Sequence, residues 1–225
     1  MLIEGGGHMP KATITCYCGS CSITLADGEA TCLFQCGCNS CRQKIQFGQA
    51  NGGRECLPLP KLVYMPSLID AVDGQRFMQA FKLRESADST QVYCTSCWAI
   101  IGVDHVGYPD NIFMNFPEFC INNGDLSVPL AAYINMSDYG DDIGPEPSED
   151  VPLFESVRYK QERERLFRIP DPKRTFEGPH DPVQGYTFRS LLAEIAAPTA
   201  LNLEEGVDVV ATVKGWLQER SDSPI

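Results

Sequence analysis

The sequence predicts a mainly β domain organised around cysteine clusters, followed by a helical C-terminal extension. Three observations lead there. Short alternating or β-branched segments recur at close spacing up to residue 116. Eight of the eleven cysteines fall in three clusters, "CYCGSC" at 16–21, "CGCNSC" at 36–41 and "CTSC" at 94–97. Near residue 140 the texture changes to acidic, proline-rich stretches alternating with helical periodicity.

The elements follow in order. "KATITCY" (11–17) and "CSITLAD" (21–27) read as strands, and "CYCGSC" forms the turn between them, with Gly19 supplying backbone freedom. "TCLFQC" (31–36) is a third strand running into "CGCNSC". After Cys41, "RQK" begins a single helical turn, capped by Asn39 or Ser40. Residues 48–60 are irregular. Strands resume at "KLVYM" (61–65), "RFMQAFKL" (76–83), "TQVYC" (90–94), "AIIGV" (99–103) and "NIFMNF" (111–116). Residues 140–152 read as a linker or draped loop, and residues 168–182 as a second irregular stretch. Helices are expected over 153–167, 185–197 and 207–220. Residues 1–8 read as a vector-derived leader with Met9 as the native start, so His8 is set aside. The β domain then spans 9–143 and the extension 144–225.

Composition narrows the function classes. Apolar residues make up 43% of the chain, enough for a core without staples. The formal net charge of −12 argues against general affinity for nucleic acid or anionic lipid. The longest apolar stretches, "AIIGV" (99–103) and "LLAEIAA" (191–197), are far too short to cross a membrane. No basic region followed by an apolar run marks a secretory signal, so the expected compartment is the cytoplasm. Eleven cysteines there point to metal or redox chemistry rather than to structural disulfides.

Cys-x-Cys and Cys-x-x-Cys turns let two sulfurs converge on one point, and a zinc ion takes four such ligands in a tetrahedron. Eight clustered thiols suffice for two sites. Cys94 and Cys97 need a second pair, which either earlier cluster could give. If Cys16 and Cys18 do so, one site is a closed set of four thiolates. Cys36, Cys38 and Cys41 then form a second site with its fourth position left to water, to Cys21 or to an incoming ligand. Three protein ligands with an open position are a catalytic arrangement; four are a structural one. Cys32, Cys56 and Cys120 stand alone and read as small buried hydrophobes.

The set "CYCGSC", "CGCNSCRQK" and "YCTSC", in this order and at these separations, resembles the glutathione-dependent formaldehyde-activating enzyme family, the group that also holds centromere protein V. The resemblance covers roughly residues 11–140. It implies a β-tent fold of small antiparallel sheets around zinc. It implies that Cys16, Cys18, Cys94 and Cys97 hold a structural zinc and that Cys36, Cys38 and Cys41 hold a catalytic one. It also implies carbon–sulfur lyase chemistry, with glutathione and a small electrophile as partners. The chain departs from the family pattern at Trp98, where Gly is common, in "GGRECLPLP" after the second cluster, and in the extension.

Glutathione is anionic and the protein acidic, so local cations must offset the repulsion. Arg42, Lys44, Arg54 and Lys61 lie near the second cluster in sequence, and Arg42, adjoining Cys41, is the first candidate. His105 is the one histidine inside the β domain and is weighed as a proton carrier against the more ordinary surface or core role; His180 is assigned nothing. Tyr64 and Tyr93 read as packing aromatics, and Trp98 as core or as a stacking surface. Two competing readings accompany the lyase. One is a non-catalytic zinc module that docks a protein partner through the extension, with Cys21 closing the second site. The other is a redox switch at "CTSC". The extension is the candidate surface for self-association. A cytoskeletal role is disfavoured, because no basic tail is present to hold an acidic polymer.

Overall fold

The computed structural model describes residues 11–108, 110–140, 144–166, 168 and 184–222. The leader read at 1–8, residues 141–143 of the linker, His180 and nearly all of the irregular stretch 168–182 lie outside the described residues.

Two β-sheets carry the fold. The smaller has the order β10-β1-β2-β5, from Ile121–Asn122, Ala12–Thr15, Ser22–Leu25 and Ile69–Asp73, and is antiparallel throughout. The larger has eight strands in the order β11-β3-β4-β9-β8-β7-β6-β12. These are Leu130–Ile134, Cys32–Cys36, Lys61–Pro66, Ile112–Asn115, Ile100–His105, Ser89–Cys94, Met78–Lys82 and Thr199–Ala200. Its two edge pairings, β11 with β3 and β12 with β6, are parallel. The chain is thus mainly β, as expected, but one sheet is far from small and not wholly antiparallel. Both parallel edges come from strands the sequence pattern did not reveal.

Alternation explains the layering. Ala12, Ile14, Ile23 and Leu25 of the small sheet are fully buried and pack with Val63, Met65, Val92, Ile101 and Phe113 on one face of the large sheet. The opposite face presents Phe34, Tyr64, Phe81, Tyr93, Val103 and Met114 to a second core. The helix α1 (Asn39–Ala50) and the C-terminal helix α4 (Val209–Asp222) cover that face, and α4 sends Val209 and Val213 into it. The large sheet is therefore buried on both sides.

Of the most buried large side chains, Phe154 and Phe188 come from the extension. Burying such a ring stabilises the fold by roughly 1.5–3 kcal/mol, so the extension is part of the core rather than an appendage. Phe188 opens α3 (Phe188–Glu194) and meets Phe113 edge-on at 5.0 Å. Gly102 of β8 makes that possible, because a Cβ there would sit 2.6 Å from the Phe188 ring. Thr187 caps α3 in a reciprocal box with Ser190 and donates its hydroxyl to Asp110 at 2.7 Å.

Several expectations need correction. The single turn after Cys41 is a helix of 12 residues, and its N-cap is Cys38 rather than Asn39 or Ser40. The helix expected over 153–167 is confined to α2, Lys160–Leu166. Ahead of it the chain runs extended: Tyr133 and Leu153 form a parallel bridge, and Phe154 N–H donates to Tyr133 O at 2.9 Å. Open backbone groups at the edge of β11 outcompete the helical periodicity there. The helices expected over 185–197 and 207–220 are α3 and α4 with shifted ends. Residues 75–77, the approach to β6, form a 3₁₀ turn.

Candidate metal centres

The first centre is built by two turns from different sheets. The β1–β2 turn carries Cys16 and Cys18, and the β7–β8 turn carries Cys94 and Cys97. All four sulfurs lie within 4.8 Å of one another. Cys16 and Cys18 Sγ are 3.5 Å apart, and Cys18 and Cys94 Sγ 3.7 Å. A tetrahedral ion with sulfur at about 2.3 Å places its ligands about 3.8 Å apart, so the set fits one zinc. Backbone N–H groups point at the sulfurs: Cys21 donates to Cys16 at 3.3 Å and Ser96 to Cys94 at 3.4 Å.

The electrostatics state the same need. Hydrogen bonding by Ser20 pulls the exposed Cys18 thiol down to about 6. Burial raises Cys16 and pushes Cys97 up to about 12. Four thiols this close cannot all ionise beside one another without a cation, and a bound dication reverses that logic.

Cys21 belongs here too. It is buried, and burial together with Cys16 and Cys94 pushes its thiol far up. It is a fifth sulfur beside the first centre and does not join Cys36, Cys38 and Cys41.

Those three form the second centre. Cys36 ends β3, Cys38 caps α1 and Cys41 lies in its first turn. Cys36 and Cys38 Sγ are 3.4 Å apart, Cys41 N–H donates to Cys38 Sγ at 3.2 Å, and Asn135 Nδ2 donates to Cys36 Sγ at 3.6 Å. Hydrogen bonds from Cys36 and Cys41 hold Cys38 well below the usual thiol range, with help from the charge of Lys44. Cys36 is driven well up by its bonds to the other two thiols and by burial. At Cys41 the Cys36 bond pulls down, but the Cys38 bond and burial prevail and push it up to about 12. One thiolate thus settles on Cys38 at the positive end of α1, and ionising the rest takes a cation. Among the described residues, no fourth Cys, His, Asp or Glu completes this set.

The loop holding the triad is braced from behind. Gly37 N–H donates to Ile134 O at 2.9 Å and Cys36 N–H to Pro60 O at 3.1 Å. The buried Arg42 donates to Gly37 O, to Asn39 Oδ1 at 2.6 Å and to Asp138 O at 2.8 Å. The structure therefore places its guanidinium on internal acceptors. Arg54 lies elsewhere, 3.7 Å over the Tyr17 ring beside the first centre. Lys61 is exposed at the start of β4. Of the four cations singled out in the sequence, Lys44 is buried and acts on Cys38 and Cys41.

His105 ends β8. Its Nδ1 accepts Gly107 N–H at 2.9 Å, which leaves the proton on Nε2. Burial, then Lys44, depresses its pKa. Tyr108 meets it ring to ring at 5.7 Å, and the Tyr108 and Tyr64 hydroxyls are 3.1 Å apart. Burial drives Tyr64 well up, with the charge of Cys36 among the lesser causes. Tyr64 packs in the core against Phe34 and Tyr108. It pairs with Cys32, two alternations from Cys36 on the same face. Tyr93 stacks on Trp98 at 5.2 Å and 11°. Trp98 stands at φ 58°, a left-handed conformation that costs a side-chain-bearing residue about 1–2 kcal/mol. Asn135, Tyr108 and Gln91 carry no motif and went unnoticed in the sequence.

The extension reaches the triad from two sides. Val157 N–H donates to Asn135 Oδ1 at 3.1 Å, and Gln43 of α1 donates to Glu204 O at 2.7 Å. Arg158 and Glu205 bring the two segments within 3.9 Å. No family model matches this chain, and no curated protein matches it.

Proposed function

We propose that this chain is a zinc-dependent carbon–sulfur lyase with a β-tent-type zinc scaffold, as the resemblance to the glutathione-dependent formaldehyde-activating family implies. One observation carries the reading: the two cysteine sets are unequal, four thiols in one and three in the other. A set of four is closed and structural; a set of three leaves one zinc position for a ligand. Zinc bound by Cys36, Cys38 and Cys41 supplies a Lewis-acidic position that favours the thiolate form of a bound thiol such as glutathione.

The chain's own residues do the remainder. Asn135 and the N-terminus of α1 orient and stabilise the triad sulfurs. Lys44 offsets the accumulated negative charge. The reaction joins the thiol sulfur to an aldehyde carbon while the carbonyl π bond breaks, and the thiol proton ends on the new hydroxyl oxygen. His105, neutral with its proton on Nε2, is the proton carrier in this scheme.

The interaction-module alternative called for Cys21 as a fourth ligand of the second site, and Cys21 lies with the first. Metal analysis and cobalt substitution test the proposal. The expected result is two metal ions per chain, with glutathione perturbing the cobalt–thiolate spectrum of the second alone. A single metal, or two spectra indifferent to thiol, overturns it.

A further inference from the structure

Asn135 opens the 3₁₀ turn Met136–Asp138 with a left-handed backbone, φ 54° and ψ 45°. An Asn side chain at a helix start ordinarily turns back to accept one of the helix's own N–H groups. Here it makes no such bond. The amide is spent on two groups outside its own turn: Nδ2 donates to Cys36 Sγ at 3.6 Å, and Oδ1 accepts Val157 N–H at 3.1 Å. The second contact decides the first. A main-chain N–H can only donate, so it holds Oδ1 and leaves the Nδ2 hydrogens to the sulfur.

The segment around Asn135 is gripped from both sides. Toward the triad loop, Ile134 O accepts Gly37 N–H at 2.9 Å and Asp138 Oδ2 accepts Asn39 N–H at 3.1 Å. Toward the extension, Tyr133 N–H donates to Pro152 O at 2.9 Å, Met136 N–H to Phe154 O at 3.1 Å and Ser137 N–H to Glu155 O at 3.0 Å. The fully buried Phe154 ring fixes that strap in the core. A left-handed backbone at a residue other than glycine persists only where its surroundings over-determine it, and these bonds do so.

We infer that Asn135 is a positioning residue of the second centre and that the extension sets it, through a relay from Val157 N–H to the Asn135 amide to the Cys36 sulfur. This deepens the proposed function and rests on its metal at the triad, not on its choice of thiol or aldehyde. A donor on a ligating sulfur orients it and draws off electron density, which leaves the metal the stronger Lewis acid at its remaining position. Residues 36–41 thus supply the sulfurs, and a strap far along the chain tunes one of them.

The test uses the full chain with cobalt in both centres, read by its thiolate-to-cobalt charge-transfer band and by metal lost to a competing chelator. Asn135→Gly removes the amide and suits the left-handed backbone at least as well, so the fold is kept. It should weaken metal binding at the second centre by about 10–100-fold and move that centre's band to lower energy, with the first centre unchanged. Val157→Pro deletes the N–H alone. Val157 is the second residue of the turn closed by Tyr159 N–H to Ser156 O at 3.1 Å, a position that accepts proline. It should shift the band in the same direction, whereas Val157→Ala, which keeps the N–H, should not. An unmoved band in Asn135→Gly overturns the inference. An effect of Asn135→Gly that Val157→Pro fails to reproduce, or that Val157→Ala reproduces equally, overturns the relay from the extension. A parent chain that holds one cobalt removes the metal from the triad and overturns the inference with it. Two cobalt ions indifferent to glutathione sink the lyase reading alone, and the variant spectra still decide the role of Asn135.

Discussion

Gly48 of α1 packs its bare Cα against the carbonyl of Trp98: a Cβ at Gly48 would stand 2.8 Å from that oxygen. The helix carrying Cys41 and the turn carrying Cys94 and Cys97 are therefore in backbone contact, and the two metal centres share one mechanical support. Gly48→Ala gains helix propensity, about 1 kcal/mol. It also forces a methyl against a main-chain oxygen that has no rotamer to yield. Overpacking of this kind costs about 1–3 kcal/mol, so urea denaturation should find the variant less stable, and near-UV dichroism should report a disturbed Tyr93–Trp98 stack.

Trp98 offers a cleaner comparison. Truncation removes its stacking on Tyr93 and its edge contact with Phe47 at 5.8 Å in either variant. Trp98→Ala keeps the left-handed penalty, whereas Trp98→Gly relieves it. Both should be destabilised relative to the parent chain, with the glycine variant the more stable of the pair by about 1 kcal/mol in denaturant titrations.

The cysteine sets should respond unequally to loss of a ligand. Cys97→Ser opens a four-thiol site that ties the small sheet to the large one. It should lose a substantial part of the roughly 10–16 kcal/mol such sites contribute in small zinc domains, seen as a collapse of the melting temperature. Cys38→Ser should release the second metal while the fold persists, because the core beneath α1 packs around Cys36 and Cys41 independently of the ion. Cys21→Ala should keep two metals per chain by elemental analysis.

Glu118 supplies a pH signature. Burial raises its carboxyl above the ordinary value, against the opposing hydrogen bond from Lys61 N–H, 2.8 Å away. A carboxyl raised on folding favours the native state while protonated, and that contribution disappears as pH climbs through the folded pKa. Its ionised form is a net burden at neutral pH. Glu118→Gln keeps an acceptor for Lys61 N–H and removes the charge, so it should be the more stable protein at pH 7. The gap should close as pH falls through the carboxylate range, checked by paired denaturation curves at both ends.

The two centres were legible because thiol spacing is a local signal. Cys-x-Cys and Cys-x-x-Cys fix what the turns can hold but left open which cluster joins Cys94 and Cys97; the structure brings Cys16 and Cys18 to them. Strands with clean alternation, such as "ATIT" and "CLFQC", were equally plain. What failed was context. "IDAVD" shows little apolar alternation because β5 is a half-exposed edge. "LAAYI" became a strand by pairing parallel to β3, a partner nearly a hundred residues away in sequence. The N-cap of α1 was misassigned because a thiol sulfur does the work usually given to a hydroxyl or amide. Gln91 was invisible for a related reason: a single amide in "TQVYC" reveals nothing until register shows which face it occupies and that no partner meets it.

The second cysteine set lies wholly within residues 36–41, while the first joins Cys16 and Cys18 to a turn at 94–97. During synthesis on the ribosome the short set is complete more than fifty residues before the long one can close. At that stage the short set is complete while Cys16 and Cys18 still wait upstream for their partners. The four-thiol set therefore forms only once β7 and the turn after it have delivered Cys94 and Cys97, so it is the paired sheets rather than a local turn that gather its sulfurs.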